Sequence, residues 1–298
     1  MQTTHTQSFA MRSALYIPGD KERALEKMAS LPADTFILDL EDAVAPEKKD
    51  LARAQIERVM GSADSAQLNV VVRINGVEAS HLEADLLTVA RARPRAVLIP
   101  KYETRASLEQ LRDGLRAKGV SRHTQVWAMI ETPLGIADIQ TLVDVNAVPD
   151  YPLTTLVIGT NDIARLTGTS MGQQRLYMLP WLSLVLIHAK ARNMTVLDGV
   201  YNDFSDIEGY TAELLQSRAM GFDGKTLIHP SQIAPANLHF SPSEAELAWA
   251  RKVADAFALP ENQGYGAIKV DGGMVELLHL VILWDVVVYA LVLHYCTN

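Results

Sequence analysis

Residues 126–162 read VWAMIETPLGIADIQTLVDVNAVPDYPLTTLVIGTND and contain one complete strand–helix–strand pattern. Two short apolar runs, VWAMIET (126–132) and TTLVIGTND (154–162), flank a stretch with helical spacing, Leu134–Val143. Pro133 stands where this helix would begin, a position that tolerates the missing N–H. Because each run is apolar at consecutive positions, we expect strands that are covered on both faces.

The same pattern repeats along nearly the whole chain. The other predicted strands are SALYIPG (13–19), TFILDLE (35–41), NVVVRIN (69–75), AVLIPK (96–101), TVLDGVY (195–201) and DGKTLIHP (223–230). Helical spacing occurs over 21–31, 47–60, 78–90, 104–118, 173–193, 206–220 and 243–258. Eight βα units predict an α/β protein, a single (β/α)8 TIM barrel over residues 1–260, with a doubly wound sheet as the alternative. A short C-terminal extension, 261–298, is expected to contact a neighbouring subunit.

Composition limits the class of protein. Apolar residues make up 48% of the chain and charged residues 21%, which allows a large core and excludes a disordered chain. The formal net charge of -8 argues against nucleic acid as a partner, because phosphate binding needs a basic face. The single cysteine, Cys296, excludes a disulfide framework, and residues 1–19 hold no apolar signal segment. We therefore expect a cytoplasmic protein.

The C-terminal segment 277–298 is unusually apolar. Its only formally charged side chain is Asp285, within LVILWDVVVYALVL (280–293). A membrane-spanning helix needs about 20 uninterrupted apolar residues, so the sequence favours a buried or subunit-contacting element and no membrane partner. A membrane anchor and an altered end of the reading frame are the alternatives.

Polar side chains follow every predicted strand, at the end where barrel enzymes carry their active sites. Acidic residues that face a common centre repel one another unless a cation joins them. Oxygen ligands favour a hard ion such as Mg²⁺ over zinc or copper. The best candidate ligands are Glu131 and Asp162, and the alternative for each is a salt bridge with Arg73 or Lys101.

Arg73 ends an apolar strand, so its guanidinium is expected to point into the site. The planar fork of an arginine matches a carboxylate or a thioester oxygen of a substrate. The alternative is a structural ion pair with Glu41 or Asp42.

Three further features of these loops predict weaker roles. Gly159, Thr160 and Asn161 offer a turn whose backbone N–H groups are candidates to bind an anionic substrate. Lys101 is expected to pair with a charge or contact a substrate phosphate, with a Schiff-base role as the alternative. His229 is expected to be a hydrogen-bonded wall residue, with a general base as the alternative.

Eight stretches, taken together and in order, resemble the citrate lyase β-subunit-like branch of the HpcH/HpaI aldolase family. They are RSALYIPGD (12–20), ILDLEDAVAPEKK (37–49), VVVRIN (70–75), VLIPK (97–101), AMIETPLG (128–135), VIGTNDIA (157–164), VLDGVYNDFSD (196–206) and GFDGKTLIHPSQI (221–233). The resemblance extends from about Arg12 to about Glu276. It implies a Mg²⁺-dependent barrel that forms homotrimers or homohexamers.

The resemblance also implies an activity. Family members cleave or form 3-hydroxy-acyl-CoA thioesters of the malyl, citramalyl or citryl type, releasing acetyl-CoA and an oxo-acid. The family's metal ligands fall on Glu131 and Asp162, in agreement with the choice made from the residues alone. The substrate arginine of the family falls on Arg73.

Further roles come from the resemblance alone. Glu41 and Asp42 match acidic residues that hold water bound to the metal. Glu276, in DGGMVE, matches an acid that acts in the site of a neighbouring subunit as proton donor or acceptor. Many lyases have aspartate at that place, and family members usually continue with a charged amphipathic helix instead of the apolar segment 277–298.

Two other activities stay open on the sequence. A malyl-CoA-type thioester hydrolase would use the same metal and the same enolate. A non-catalytic or carrier-dependent subunit of a citrate lyase complex would not turn over free CoA thioesters.

Overall fold

The structure is a computed structural model, and it describes residues 11–65, 67–145 and 149–277. Eight parallel strands form a closed barrel in chain order, in which the first strand also pairs with the eighth. The strands are β1 Ser13–Pro18, β2 Thr35–Asp39, β3 Val70–Arg73, β4 Ala96–Ile99, β5 Gln125–Ile130, β6 Leu153–Ile158, β7 Thr195–Asp198 and β8 Gly224–Leu227. The predicted (β/α)8 barrel is confirmed, and the doubly wound alternative is wrong.

Helices follow the strands as the apolar spacing predicts. They are α1 Glu22–Lys27, α2 Lys49–Met60, α3 Leu82–Ala92, α4 Arg105–Ala117, α5 Pro133–Ala137, α6 Ile139–Val143, α7 Thr160–Thr167, α8 Gly172–Arg175, α9 Leu179–Lys190, α10 Ile207–Met220, α11 Ile233–His239 and α12 Glu244–Ala258. In α4, Leu108, Leu111 and Leu115 are fully buried, which is the i, i+3, i+7 spacing of one helix face. Thr104 caps this helix by accepting a hydrogen bond from the Ser107 N–H at 3.2 Å.

One predicted strand ends earlier than expected. The run 154–162 was assigned to a strand, but β6 ends at Ile158 and α7 begins at Thr160. Asp162 lies in the first turn of α7, where a carboxylate interacts favourably with the helix dipole. The anion-binding turn predicted at 159–161 is therefore the start of a helix.

The barrel interior is filled by alternate residues of the strands. Ala14, Ile37, Val71 and Trp127 are fully buried members of one apolar cluster there. Side chains two positions apart in a strand share a face, so the interior face continues along the strands toward their carboxyl ends. Two positions further along these strands lie Tyr16, Asp39, Arg73 and Met129, of which Met129 belongs to the cluster and Tyr16 packs against it.

The chain divides into two compact units. The first contains residues 11–238, and the second contains the described residues 239–277. In the second unit α12 begins with a capping box between Ser243 and Glu246. The strands β9 Ala267–Val270 and β10 Gly273–Glu276 form an antiparallel hairpin. The domain boundary at residue 260 stays a prediction.

The apolar run predicted to contact a subunit lies, apart from Leu277, outside the described residues. No helix within the described ranges is both long and apolar enough to cross a membrane.

The close approach of the N-terminal segment to β8 yields a prediction about stability. A Cβ atom on Gly224 would lie 1.8 Å from the backbone oxygen of Met11, a contact that only a backbone shift can relieve. We expect Gly224→Ala to lower the free energy of unfolding by about 1–3 kcal/mol in urea titrations. Gly76→Ala is the control, because no atom lies within 4 Å of its added Cβ. Equal stability of the two variants would contradict the close packing of the Met11 backbone against Gly224.

Candidate active site

A cavity of about 390 Å³ lies at the carboxyl ends of the barrel strands. Its polar lining includes Asp39, Arg73, Glu131 and Asp162, and its apolar lining includes Ile158, Val200 and Ile228. Arg73 and Glu131 are predicted site residues. Five more predicted site residues also line this cavity, namely Asp42, Gly159, Thr160, Asn161 and Asp162. The structure therefore brings together most of the residues that the sequence singled out.

Arg73 is buried at the top of the barrel interior. Its Nε and Nη2 donate to the two carboxylate oxygens of Asp39 at 2.6 and 2.5 Å. Its guanidinium also lies 4.9 Å from the ring centre of Tyr16, and Nη1 lies 3.1 Å from Glu41 Oε2. Burial disfavours the arginine's charge, but Asp39 and the other anions outweigh it and hold the pKa of Arg73 well above its ordinary value.

Asp39 is the main partner of Arg73, a role that the sequence analysis did not assign. The alternative considered from the sequence was an ion pair with Glu41 or Asp42, and Glu41 Oε2 does lie 3.1 Å from Nη1. Asp39 also accepts the backbone N–H of Glu41 at 2.8 Å and that of Ala43 at 3.0 Å. The alternation of β2 gave a partial signal, because Asp39 lies two positions beyond the interior residue Ile37. Its register with Arg73 across β2 and β3 is set by the fold.

Glu131 follows β5 directly and is only 1% exposed. Its Oε1 accepts the backbone N–H of Lys101 at 2.7 Å. Burial raises its pKa from the ordinary 4.5 to about 7, and the nearby Glu41 adds to the rise. A Cβ on Gly159 would lie 2.5 Å from Oε2, so this glycine leaves the space into which the second oxygen points.

Glu41 is buried beside these groups. Its Oε1 forms an ion pair with the ammonium of Lys101, and burial raises its pKa above the ordinary value. Lys49 stabilises the loop that carries Glu41, because its Nζ donates to the carbonyl oxygens of Leu40 and Glu41 at 2.6 and 2.7 Å. Asp42 is largely exposed and lies 3.6 Å from the Lys101 ammonium.

Asp162 is 20% exposed at the start of α7. Its Oδ1 accepts from Arg165 at 2.7 Å, so its ion-pair partner is neither Arg73 nor Lys101, the two partners considered from the sequence. Arg165 is itself 65% exposed, so this pair adds little to stability. Asn161 exchanges hydrogen bonds with Asn202 at 2.8 and 3.0 Å, which joins α7 to the loop after β7.

Three other polar residues, two near the ends of predicted strands and one from the family resemblance, have different surroundings. Asp198 is fully buried in an ionic network, with Arg175 at 2.8 Å and Lys225 at 2.7 Å. His229 stacks on Phe204 at 4.5 Å, and its Nδ1 lies 2.7 Å from Ser231 Oγ, which agrees with a hydrogen-bonded wall residue. Glu276 ends β10 in the second compact unit.

The donor set of the cavity fits a hard cation with few protein ligands. Within 11–65, 67–145 and 149–277, no cluster of three His, Cys, Asp or Glu side chains has the spacing of a metal site. Mg²⁺ often binds through one or two carboxylates and keeps several waters, so Glu131 and Asp162 suffice in number. A buried oxygen beside them, Thr160 Oγ1, has no hydrogen-bond partner. Such an atom is suited to bind water or substrate.

Comparison with known proteins places this geometry in a family. Residues 12–230 match the HpcH/HpaI aldolase/citrate lyase family. A (3S)-malyl-CoA thioesterase of Cereibacter sphaeroides is 44% identical over 275 residues, covering 92% of this chain and 93% of that protein. The mitochondrial citramalyl-CoA lyase of Homo sapiens is 30% identical over 285 residues, covering 92% and 84%.

A solved structure is similar over nearly the whole chain. It is the crystal structure of CitE from Mycobacterium tuberculosis in complex with magnesium, acetoacetate and coenzyme A. The TM-score is 0.75 at 29% sequence identity, and the match covers 93% of this chain and 97% of that chain.

The buried pair of Arg73 and Asp39 makes stability depend on the carboxylate. Asp39→Asn removes the main counter-ion of the buried arginine, and we expect a loss of about 3–5 kcal/mol in the free energy of unfolding. Asp113→Asn is the matched control, because Asp113 pairs with Arg116 at 2.6 Å on an exposed helix surface. The control should unfold like the parent. If the two variants lose equal stability, the buried pair does not have this role.

The raised pKa of Glu131 predicts a pH-dependent stability in metal-free buffer. Below pH 4.5 the carboxyl is protonated in the folded and unfolded chains alike. Between pH 4.5 and about 7 the unfolded chain ionises first, so the parent loses stability as the pH rises, on the order of 3 kcal/mol in total. Glu131→Gln lacks this loss, and urea unfolding should show its advantage growing up to pH 7 and then staying constant. If the stability difference between Glu131→Gln and the parent does not change with pH, the pKa of Glu131 is not raised in the folded protein.

Proposed function

Because the chain belongs to the HpcH/HpaI aldolase/citrate lyase family, we propose that it is a Mg²⁺-dependent carbon–carbon lyase. Its substrate would be a 3-hydroxy-acyl-CoA thioester of the malyl, citramalyl or citryl type, and its products acetyl-CoA and an oxo-acid. The observation that carries the proposal is the buried Glu131, which lies in one cavity with Asp162 and Arg73.

Glu131 and Asp162 would hold the metal, and Asp162 would exchange its Arg165 partner for the ion. Mg²⁺ would supply Lewis acidity at the carboxylate and carbonyl oxygens of the oxo-acid. Glu41 and Asp42 would orient the water molecules bound to the metal. Support comes from the CitE structure, whose complex contains magnesium, acetoacetate and coenzyme A.

Arg73 would stabilise the negative charge on the thioester oxygen when the carbon–carbon bond breaks. Asp39 engages two of its N–H groups, at Nε and Nη2, which fixes the plane of the guanidinium. Nη1, which lies beside Glu41 Oε2 and Met129 Sδ, would exchange these contacts for the thioester oxygen, a role worth on the order of 3 kcal/mol in comparable oxyanion sites. The N–H groups at the start of α7, from Gly159 to Asn161, would bind an anionic oxygen of the substrate.

Hydrolysis of a malyl-CoA-type thioester is the second candidate. The thioesterase of Cereibacter sphaeroides is 44% identical to this chain, against 30% for the human lyase. Both reactions would use the same metal ligands and the same arginine, and they differ in the fate of the acyl group.

The two reactions are separated by their products. Purified protein is incubated with Mg²⁺ and, in turn, malyl-CoA, citramalyl-CoA and citryl-CoA, and the products are identified by mass spectrometry. A lyase releases an oxo-acid with acetyl-CoA, whereas a hydrolase releases free CoA and the free hydroxy acid (malate, citramalate or citrate). Absence of turnover on all three thioesters, with Mg²⁺ present, would contradict both candidates.

We further propose that the protein is a cytoplasmic homo-oligomer, a trimer or hexamer, in which Glu276 acts as proton donor or acceptor in a neighbour's site. Full-length Glu131→Ala and Glu276→Ala should each turn over poorly. Mixing them under subunit exchange should restore part of the activity, because each supplies the residue that the other lacks. If the mixture is no more active than its components while each variant stays folded, Glu276 does not act across subunits.

A further inference from the structure

Lys101 has a backbone conformation that lysine rarely adopts. Its φ is +47°, in the left-handed region, where a residue with a Cβ is strained by roughly 1–2 kcal/mol. Strain of this kind persists only where the surrounding structure maintains it, and it concentrates at functional sites. The position follows Pro100, directly after β4.

The left-handed turn redirects two successive backbone N–H groups toward β5. The N–H of Lys101 donates to Glu131 Oε1 at 2.7 Å. The next N–H, that of Tyr102, donates to the carbonyl oxygen of Met129 at 3.0 Å. In an extended strand successive N–H groups point to opposite sides, so the turn at residue 101 is what allows both N–H groups to face β5 and the residue after it.

The two oxygens of Glu131 therefore have different surroundings. Oε1 is engaged by the backbone of Lys101, whereas Oε2 points toward the space that Gly159 leaves open. A carboxylate held in this way offers a single oxygen to a ligand in the cavity. The side chain of Lys101 has a separate task, the ion pair with Glu41.

We propose that Lys101 is a positioning residue whose left-handed backbone orients Glu131 as a one-oxygen metal ligand through Oε2. The inference rests on the proposed function, since it takes Glu131 as a ligand of Mg²⁺. It assigns the effect to the backbone of Lys101 and not to its ammonium group.

Three substitutions separate the backbone from the side chain. Lys101→Gly and Lys101→Asn remove the ammonium but adopt the left-handed conformation readily. Lys101→Val removes the ammonium too, but a β-branched residue strongly resists a positive φ. All three variants lose the ion pair with Glu41, so differences among them report the backbone.

Mg²⁺ affinity is measured by titration calorimetry without substrate, and folding is checked by circular dichroism. We expect the Gly and Asn variants to bind Mg²⁺ alike, and the Val variant to bind it on the order of tenfold more weakly, as for loss of a group that orients a metal ligand. Val and Gly variants that both bind Mg²⁺ as tightly as the parent would overturn the proposal, because the backbone conformation would then have no effect. Folded Val and Gly variants that are equally weaker than the parent would also overturn it, because the side chain would then be responsible.

Mg²⁺ binding by the parent protein distinguishes failure of the Lys101 proposal from failure of the proposed function. A parent that binds Mg²⁺, with variants that do not differ, refutes only the role of Lys101. A parent that binds no Mg²⁺ refutes the metal site itself, and with it the proposed function.

Discussion

The buried ion pair between Arg73 and Asp39 determines how the other charged groups of the cavity are arranged. The pair occupies the interior face of β3 and β2, just beyond the apolar filling of the barrel. Removing either partner would leave a buried charge without its main counter-ion. Asp39 also accepts two backbone N–H groups of the loop after β2, so the pair orients the arginine and the loop that carries Glu41 together.

Because Asp39 neutralises much of the charge of Arg73, the neighbouring carboxylates are not fully compensated. Burial raises the pKa of both Glu41 and Glu131, and the value for Glu131 reaches about 7. A carboxylate in this state gains more from a divalent cation than one that water already solvates. The same desolvation that makes Glu131 unfavourable in the empty cavity thus prepares it to bind a metal.

The sequence predicted the barrel well because its strands are apolar on both faces, a local signal. It predicted the strand ends poorly where a competing local preference operates. In the run 154–162, the residues from Thr160 onward form the first turn of α7, so Asp162 pairs with Arg165 one helical turn away. In the hairpin at 267–276, β9 alternates exposed and buried residues over only four positions and β10 buries only Val275, which is too short a pattern to distinguish from a loop.

The site residues divide in the same way. Glu131 and Arg73 follow apolar runs directly, so their position at the carboxyl ends of the strands could be predicted. The role of Asp39 depends on its register with Arg73 across two strands, which is a tertiary property. The left-handed backbone of Lys101 had no signal in the sequence, because contacts with β5 maintain it.

The most direct test of the account is Mg²⁺ titration calorimetry on the parent, Glu131→Ala and Asp162→Ala. Asp203→Ala serves as the control, since Asp203 is an exposed acid that receives hydrogen bonds from Ser205 and does not line the cavity. We expect the parent and the control to bind Mg²⁺ with the same affinity, and the other two variants to stay folded and lose binding. Unchanged Mg²⁺ affinity in folded Glu131→Ala would contradict the assignment of Glu131 as a metal ligand.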